Sequence, residues 1–561
     1  MIAIFIYICI LISYHTLDCQ NFSPTITLSN GQLRGTVNKT AINGKTYYAF
    51  RGIPFAKKPL GDLRFAAPVP NDPWTGVLDA VADRDACTQL NILEHFTKES
   101  NVVGSEDCLY INVYTTDLKG TLPVMVWVYG GTFWSGSSRY EEFAPDYLLE
   151  KDVLYVAFNY RLGVFGFLST EDDVAPGNWG LKDQILAMKW VKKNVAAFGG
   201  DPEKITVFGQ SAGAASLSYL LNSKLTEGLY RAAIMQSGNA LCTWTLTRQA
   251  KSNADKLGLL LGILPTDSKT LVKRLREVDY KKLKVVENLA TFSIWLSGNI
   301  INGFPFAVVQ EPEHEGAVLS GRSYQILESG NFVRVPAIVG FTSFEVAPGI
   351  HINLLLRIFA IILLNLKIKP LSLAPYDLTK DLFKKILAGT MIRYKYFKLS
   401  PLGLNEQDAF KWATVDEFNR PIREAATLMS KYTDVYYYKF SYQGRLGNPN
   451  RTEPGVQHAE DLKYIFYTNA TVSPEDALTI KRMVTMWTNF AKTRNPTLSD
   501  ESDVLKITWV PNTPHIDAEK NITYLNINNT LALQENPDQD DWLFYQNIFK
   551  DFGDPSYYVT Y

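Results

Sequence analysis

The sequence predicts an α/β fold: a large, mostly parallel, twisted sheet flanked by helices, with helical cap insertions. Three observations lead there. Short runs of β-branched and aromatic residues recur at 124–129, 154–159, 205–208, 232–235, 337–339 and 435–440. Between them lie segments of helical period, clearest in Leu181, Ile185, Met188, Val191 and Val195, a helix expected to end at Phe198-Gly199-Gly200. The third run passes through Gly209-Gln210-Ser211-Ala212-Gly213 into small residues that open a helix. Strands alternating with helices pair in parallel, because each crossover helix returns the chain to the same end of the sheet.

Taken in order, residues 2–14 are almost wholly apolar and a short polar stretch reaches Cys19. That length suits a signal peptide over 1–19 better than a membrane span. Residues 20–561 then form one domain, since no repeat, low-complexity tract or linker divides them. Short β-like segments and Gly turns over 25–36 predict an antiparallel N-terminal portion. Stretches 241–330 and 346–430 read as helix-rich insertions. One contains the Leu- and Ile-rich 350–368, expected as a cap helix because Asn353, Arg357, Asn365 and Lys367 interrupt it.

The turn at 209–213 has the form of a nucleophile elbow, in which a strand bends sharply into a helix and holds a serine at the tip. The serine takes strained backbone angles, and side chains two residues to either side would collide across the turn. Ser211 is therefore the candidate nucleophile. The N–H of Ala212 opens the helix and is a candidate oxyanion donor. Tyr129-Gly130-Gly131-Thr132-Phe133 follows the apolar run at 124–128, with paired glycines that let backbone approach a substrate oxygen.

A serine hydroxyl needs an imidazole to take its proton. Of His95, His314, His351, His458 and His515, His458 stands out, in a loop-like segment downstream of the run at 435–440. The third member must be a carboxylate at a strand end between serine and histidine. Glu345 follows the buried run 335–340 and fits. Glu311, Glu313 and Glu315 are rivals that follow no comparable strand.

Composition narrows the setting. The 56 basic and 57 acidic residues give a net charge of -1, which offers nucleic acid or an anionic membrane no electrostatic purchase. Of five cysteines, Cys9 and Cys19 leave with the signal; Cys87 and Cys108 form the natural pair, and Cys242 remains a buried thiol. Sequons at Asn21, Asn38, Asn450, Asn469, Asn521 and Asn528 agree with a secreted glycoprotein. The C-terminal end carries no hydrophobic tail, so no stable membrane anchor is expected. No His, Cys and Asp cluster has ligand spacing, so no metal and no cofactor is expected.

These residues resemble the type-B carboxylesterase/cholinesterase family of α/β hydrolases. The resemblance runs from Arg51-Gly52-Ile53-Pro54-Phe55-Ala56 to Trp487-Thr488-Asn489-Phe490-Ala491-Lys492. It rests on Ser105-Glu106-Asp107-Cys108, Asn159-Tyr160-Arg161-Leu162-Gly163, Gly177-Asn178-Trp179-Gly180 and Phe198-Gly199-Gly200-Asp201-Pro202. It implies an α/β-hydrolase fold with Ser211 as nucleophile, Glu345 as acid and His458 as base. It implies an oxyanion hole of Gly131, Thr132 and Ala212, with Gly130, Gln210 and Ser237 around them. Structural pairs Arg64 with Glu106 and Arg161 with Asp183, and a disulfide Cys87–Cys108, are also implied.

The sequence departs from the family at Phe341-Thr342-Ser343-Phe344, at Thr132 in place of a small residue, and at Gln210 in place of the common Glu. The stretch between Cys87 and Cys108 has no Trp, which disfavours a choline ester. Gln210-Ser211-Ala212-Gly213 is similar to the elbow of insect juvenile hormone esterases and several secreted insect esterases. Phe304 and Phe306 are candidate acyl-pocket walls. The expected function is hydrolysis of a small apolar carboxylic ester through an acyl-enzyme. The competing readings are a catalytically silent adhesion or ligand-binding relative and a lipase for long acyl chains. Oligomeric state has no signature in the sequence.

Overall fold

A computed structural model describes residues 21–90, 98–264, 266–296, 303–346, 375, 378–398, 406–498, 502–514 and 521–555. The signal segment, the apolar stretch 350–368, His95, His351 and His515 lie outside them.

Eleven strands form the main sheet, numbered here in chain order. They are β1 (Thr36–Lys39), β2 (Thr46–Pro54), β3 (Tyr110–Thr115), β4 (Leu122–Val128), β5 (Leu154–Phe158) and β6 (Gly200–Gln210). There follow β7 (Ala232–Gln236), β8 (Ala337–Thr342), β9 (Val435–Phe440), β10 (Thr523–Ile527) and β11 (Leu531–Glu535). Their order across the sheet is β11-β10-β9-β8-β7-β6-β4-β5-β3-β2-β1. From β5 to β10 every neighbouring pair is parallel; both margins are antiparallel. The expected mostly parallel sheet is thus observed.

Two features of this order position the site. The chain places β5 on one side of β4 and β6 on the other, so connections diverge between β4 and β6 and open a crevice at their C-terminal ends. The register pairs Gly209 of β6 with Val128 of β4. The glycine turn after β4 and the serine turn after β6 therefore emerge side by side.

The central strands are apolar because both faces are covered. Val124, Val126 and Val128 are fully buried, as are Met125 and Trp127 on the opposite face. Helix α1 (Trp179–Asn194) covers one side and passes through a 3₁₀ turn, Val195–Phe198, before Gly199 at φ 81° ends it. Helix α2 (Ala212–Leu221) leaves the elbow fully buried. The 241–330 region contributes α3 (Tyr280–Leu296), and the later insertion contributes α4 (Arg420–Ser430). The N-terminal antiparallel portion pairs Ile26–Leu28 with Gly31–Arg34.

Strand bounds differ from the sequence expectation most at β6, which runs Gly200–Gln210 rather than 205–208. Its first residues pair irregularly with β4, and its polar start carries no apolar signal. Strand β3 went unmarked because Asn112 interrupts its apolar run. That amide is buried, accepting from Gly52 N–H and donating to Asp83.

The disulfide joins Cys87 and Cys108, and Cys242 is a buried free thiol. Both ion pairs implied by the resemblance are present. Arg161 grips Asp183 through Nε and Nη2 at 2.8 Å each, and Arg64 Nε reaches Glu106 at 2.7 Å. Forked contacts of this kind fix orientation as well as charge.

Candidate active site

Ser211 caps α2 at φ 56° and ψ -126°, a region that L-residues rarely occupy. The crossing at the turn explains its glycines. A Cβ on Gly213 would lie 2.0 Å from the Val128 carbonyl oxygen, and one on Gly209 2.8 Å from both that oxygen and the Gly213 carbonyl carbon. The Ser211 N–H donates to the Gln236 carbonyl on β7 at 2.8 Å, which pins the strained tip to the sheet.

The glycine loop presses against this tip. A Cβ on Gly130 would lie 2.8 Å from the Ser211 Cβ. Gly131, Thr132 and Phe133 all have positive φ, at 112°, 56° and 61°. For β-branched Thr132 this is a strained conformation. Its hydroxyl donates to the Gly131 carbonyl at 2.7 Å, and the N–H groups of Trp134 and Ser135 donate to the same oxygen at 2.9 and 3.0 Å. The Gly163 N–H holds the Phe133 carbonyl at 2.7 Å. Ala212 is the first residue of α2, where helical N–H groups have no intrahelical acceptor.

Glu345 and His458 lie 113 residues apart and meet: Nδ1 and Oε2 are 2.6 Å apart. The other oxygen, Oε1, accepts the Thr342 N–H at 2.7 Å, so both lone-pair sets of this buried carboxylate are engaged. Two backbone bonds tie the loops together, from Phe344 N–H to the Val456 carbonyl at 2.9 Å and from His458 N–H to the Glu345 carbonyl at 3.3 Å. The unusual residues after β8 take part. Ser343 Oγ accepts from Val456 N–H at 3.0 Å, and a Cβ on Gly455 (φ 108°) would lie 2.6 Å from the Phe344 Cβ. The rival Glu311 is engaged elsewhere, with Lys182 at 2.6 Å and His314 at 2.9 Å.

An ionised carboxylate only accepts, so Nδ1 of His458 carries the proton shared with Glu345 and Nε2 is left as an acceptor. That acceptor lies 3.1 Å from the Gln210 amide nitrogen, which donates to it. The imidazole is thereby held against the residue preceding Ser211. Replacing Gln210 by Glu places a negative charge beside the ring and stabilises its protonated form.

Asp461, three residues after His458, had no sequence signal and is fully buried. It accepts from Gln236 Nε2 at 2.7 Å, and the Tyr438 hydroxyl lies 3.4 Å away. Burial, with the Glu345 charge adding to it, pushes this carboxyl up to about 6 from 3.8. Folding therefore favours the protonated form; that contribution is complete below about 3.8 and is lost as pH rises through about 6. Asp461→Asn should stabilise the protein above that range by on the order of 2–3 kcal/mol, and by little near pH 4. Denaturant unfolding at both pH values reads the difference.

Ser237, the residue implied near the histidine, is fully buried at φ 54°. Its N–H donates to the Gly340 carbonyl at 2.8 Å, while its Oγ has no hydrogen-bond partner among the described residues. Rings from separate parts of the chain gather beside His458. Phe418 packs on the imidazole with centroids 5.1 Å apart, and Trp244 lies 5.6 Å from Phe418, 6.4 Å from Phe133 and 6.5 Å from Phe304. Of the two wall candidates, Phe304 joins this group and keeps exposed surface, whereas Phe306 is core. Trp244 and Phe418 were not foreseen. The sequons at Asn21, Asn450, Asn469 and Asn521 are exposed, and those at Asn38 and Asn528 half-buried.

The model of the carboxylesterase family matches residues 22–544. Juvenile hormone esterase of Tribolium castaneum is 34% identical over 515 residues, covering 84% of this chain and 84% of that protein. Venom carboxylesterase-6 of Apis mellifera is 33% identical, covering 85% and 87%. Among solved structures, juvenile hormone esterase from Manduca sexta with OTFP covalently attached superposes with a TM-score of 0.80 at 30% identity, covering 94% of this chain and 99% of that one. PNB esterase superposes at 0.72 and 27% identity, with the same coverage.

Proposed function

Since this chain belongs to the carboxylesterase family and has its α/β-hydrolase fold, we propose that it is a secreted serine carboxylesterase working through an acyl-enzyme on Ser211. The observation that carries this reading is the Glu345–His458 contact at 2.6 Å, delivered to the residue beside the elbow serine.

The proposed sequence of events follows from those contacts. His458 Nε2 takes the Ser211 proton as Oγ attacks the ester carbonyl, and the Gln210 amide gives up that lone pair when the serine claims it. Negative charge developing on the carbonyl oxygen is met by the N–H groups of Gly131, Thr132 and Ala212. The imidazolium is steadied by Glu345, donates its proton to the departing alcohol, and then activates water to release the acid. Rigid loops matter here, because donors already aimed at the oxyanion need no reorganisation during reaction.

The rings of Phe304 and Phe418, which keep exposed surface and pack on Trp244, favour an apolar ester. The juvenile hormone esterases among the relatives make that hormone's ester one candidate substrate. The disulfide and the accessible sequons support export to an oxidising, glycosylating compartment. Chromogenic esters of graded acyl length test the reading. Turnover that is fastest for short acyl groups supports a carboxylesterase, a preference for long ones supports a lipase, and no turnover leaves a binding role.

A further inference from the structure

The glycine loop beside Ser211 is strained and has to be held from outside. Gly131, Thr132 and Phe133 all take positive φ, and strain of that kind persists only where surrounding contacts over-determine it. Bonds within the loop engage the Gly131 carbonyl, but the Phe133 carbonyl is held by Gly163 N–H, from another part of the chain, at 2.7 Å. Whatever fixes Gly163 is therefore one bond away from the loop.

Two side chains of α3 do this. Glu287 Oε1 accepts the N–H of Val164, the residue after Gly163, at 3.1 Å, and its Oε2 lies 2.9 Å from Lys284 Nζ. The pair packs directly on Gly163 (φ 52°), where an added Cβ would meet Glu287 Oε1 and lie 2.7 Å from Lys284 Nζ. Lys284 Nζ also stands 5.4 Å from the ring centroid of Trp134, whose backbone N–H donates to the Gly131 carbonyl at 2.9 Å. The pair thus reaches the loop twice, through the support of Phe133 and through the Trp134 ring.

Stability does not explain the pair. Its side chains are 0% and 2% exposed. Burial pushes the Lys284 ammonium below its ordinary range and the Glu287 carboxyl above its own, and each charge offsets only part of the other's shift. Apolar residues of similar volume often stabilise a fold as well as a buried ion pair does, or better. What the charged pair adds is a fixed geometry.

We propose that Lys284 and Glu287 are positioning residues for ester hydrolysis, bracing the loop from Gly131 to Trp134 so that its N–H groups stay aimed at the carbonyl oxygen as charge develops there. This rests on the esterase reading, which assigns Gly131 and Thr132 to the oxyanion hole. The pair acts through Gly163, Val164 and Trp134 and not on the substrate itself. Donors displaced by about 1 Å can forfeit about 10²-fold in rate, so a brace outside the site has a large effect inside it.

Two neutral double variants separate aim from folding. Lys284→Met with Glu287→Leu removes the charges and the acceptor for Val164; Lys284→Met with Glu287→Gln removes the charges and keeps an acceptor. On a short-chain chromogenic ester the first should lose kcat about 30-fold, with KM within about twofold and an unfolding midpoint no lower than native. The second should keep kcat within about threefold of native. A trifluoromethyl ketone adds a direct reading of the oxyanion. Ser211 Oγ attacks its carbonyl carbon, the serine proton passes to His458, and the carbonyl oxygen becomes the anion of a tetrahedral adduct. That ketone should bind the first variant about 30-fold more weakly, whereas the matching secondary alcohol, which forms no adduct, should bind all three proteins alike. A native kcat in the first variant, a second variant no faster than the first, or equal weakening of ketone and alcohol overturns the brace. So does a first variant that fails to fold, which would assign the pair to folding. No turnover by the native chain would remove the esterase reading and the brace with it; native turnover equalled by the first variant would remove the brace alone.

Discussion

Replacing His458 by alanine is expected to lower kcat for any accepted ester by about 10⁴-fold or more, with KM changed little. The size follows from chemistry. A serine hydroxyl is almost wholly protonated at neutral pH, and its proton must leave as the carbonyl is attacked. In the proposed mechanism the imidazole of His458 is the group that takes it, and that ring is held beside the elbow with its Nε2 lone pair turned toward Gln210. The small KM effect follows too, because a group that acts on a proton in transit contributes to the transition state and not to ground-state binding. The His458 side chain is 28% exposed, so its loss opens no core cavity, but the buried Glu345 carboxylate loses the Nδ1 partner held at 2.6 Å, and a modest loss of stability should accompany the loss of activity.

Glu345→Gln is expected to cost kcat about 10⁴-fold while leaving the loop in place. The amide oxygen can still accept the Thr342 N–H that Oε1 accepts now, so the loop keeps its anchor. The opposite end of the amide then presents N–H groups to Nδ1 where a carboxylate oxygen stood. Two donors cannot face each other. The ring must move its proton to Nε2, the tautomer that cannot receive one from serine. Steady-state kinetics with a parallel melting curve separate the two effects: a deep loss of kcat beside a small shift in Tm supports the orienting role. A Tm loss large enough to account for the activity would mean that Glu345 acts through folding.

What the sequence disclosed about this site follows how local each signal is. The elbow was legible because its signature is contiguous over five residues, although the space it needs is set partly from outside: a Cβ on Gly209 would meet Gly213 across the turn, and a Cβ on either glycine would meet the Val128 carbonyl of β4. His458 and Glu345 were legible as loop residues beyond apolar strands in the correct chain order, and the 2.6 Å contact brings those two together. Thr132, which stands in place of a small residue, takes a left-handed conformation and bonds the Gly131 carbonyl, a solution that depends on its own hydroxyl.

The unforeseen groups are those whose meaning comes only from assembly. Asp461 reads as one acid in a polar loop until Gln236 and Tyr438 close over it. Trp244 and Phe418 are separated by more than a hundred and seventy positions (Trp244 Nε1 reaches the Glu417 carbonyl at a separation of 173) and no periodicity links them. Gln210 could be read as the loss of a charge, but not as an amide bound to the His458 ring. The outermost strand β11 was missed for another reason. Leu531–Glu535 is exposed or half-buried along its whole length, so no apolar face marks it.

The most direct test of the account is covalent capture. The native protein, treated with an organophosphonate and digested, should carry one phosphonyl adduct on the peptide containing Ser211, formed with first-order loss of esterase activity. Ser211→Ala should remain unlabelled, and His458→Ala should label at least about 10³-fold more slowly, because the nucleophile is then unassisted. An adduct on another residue, or labelling at Ser211 at a rate indifferent to His458, would contradict the proposal that this serine is a nucleophile activated by that imidazole.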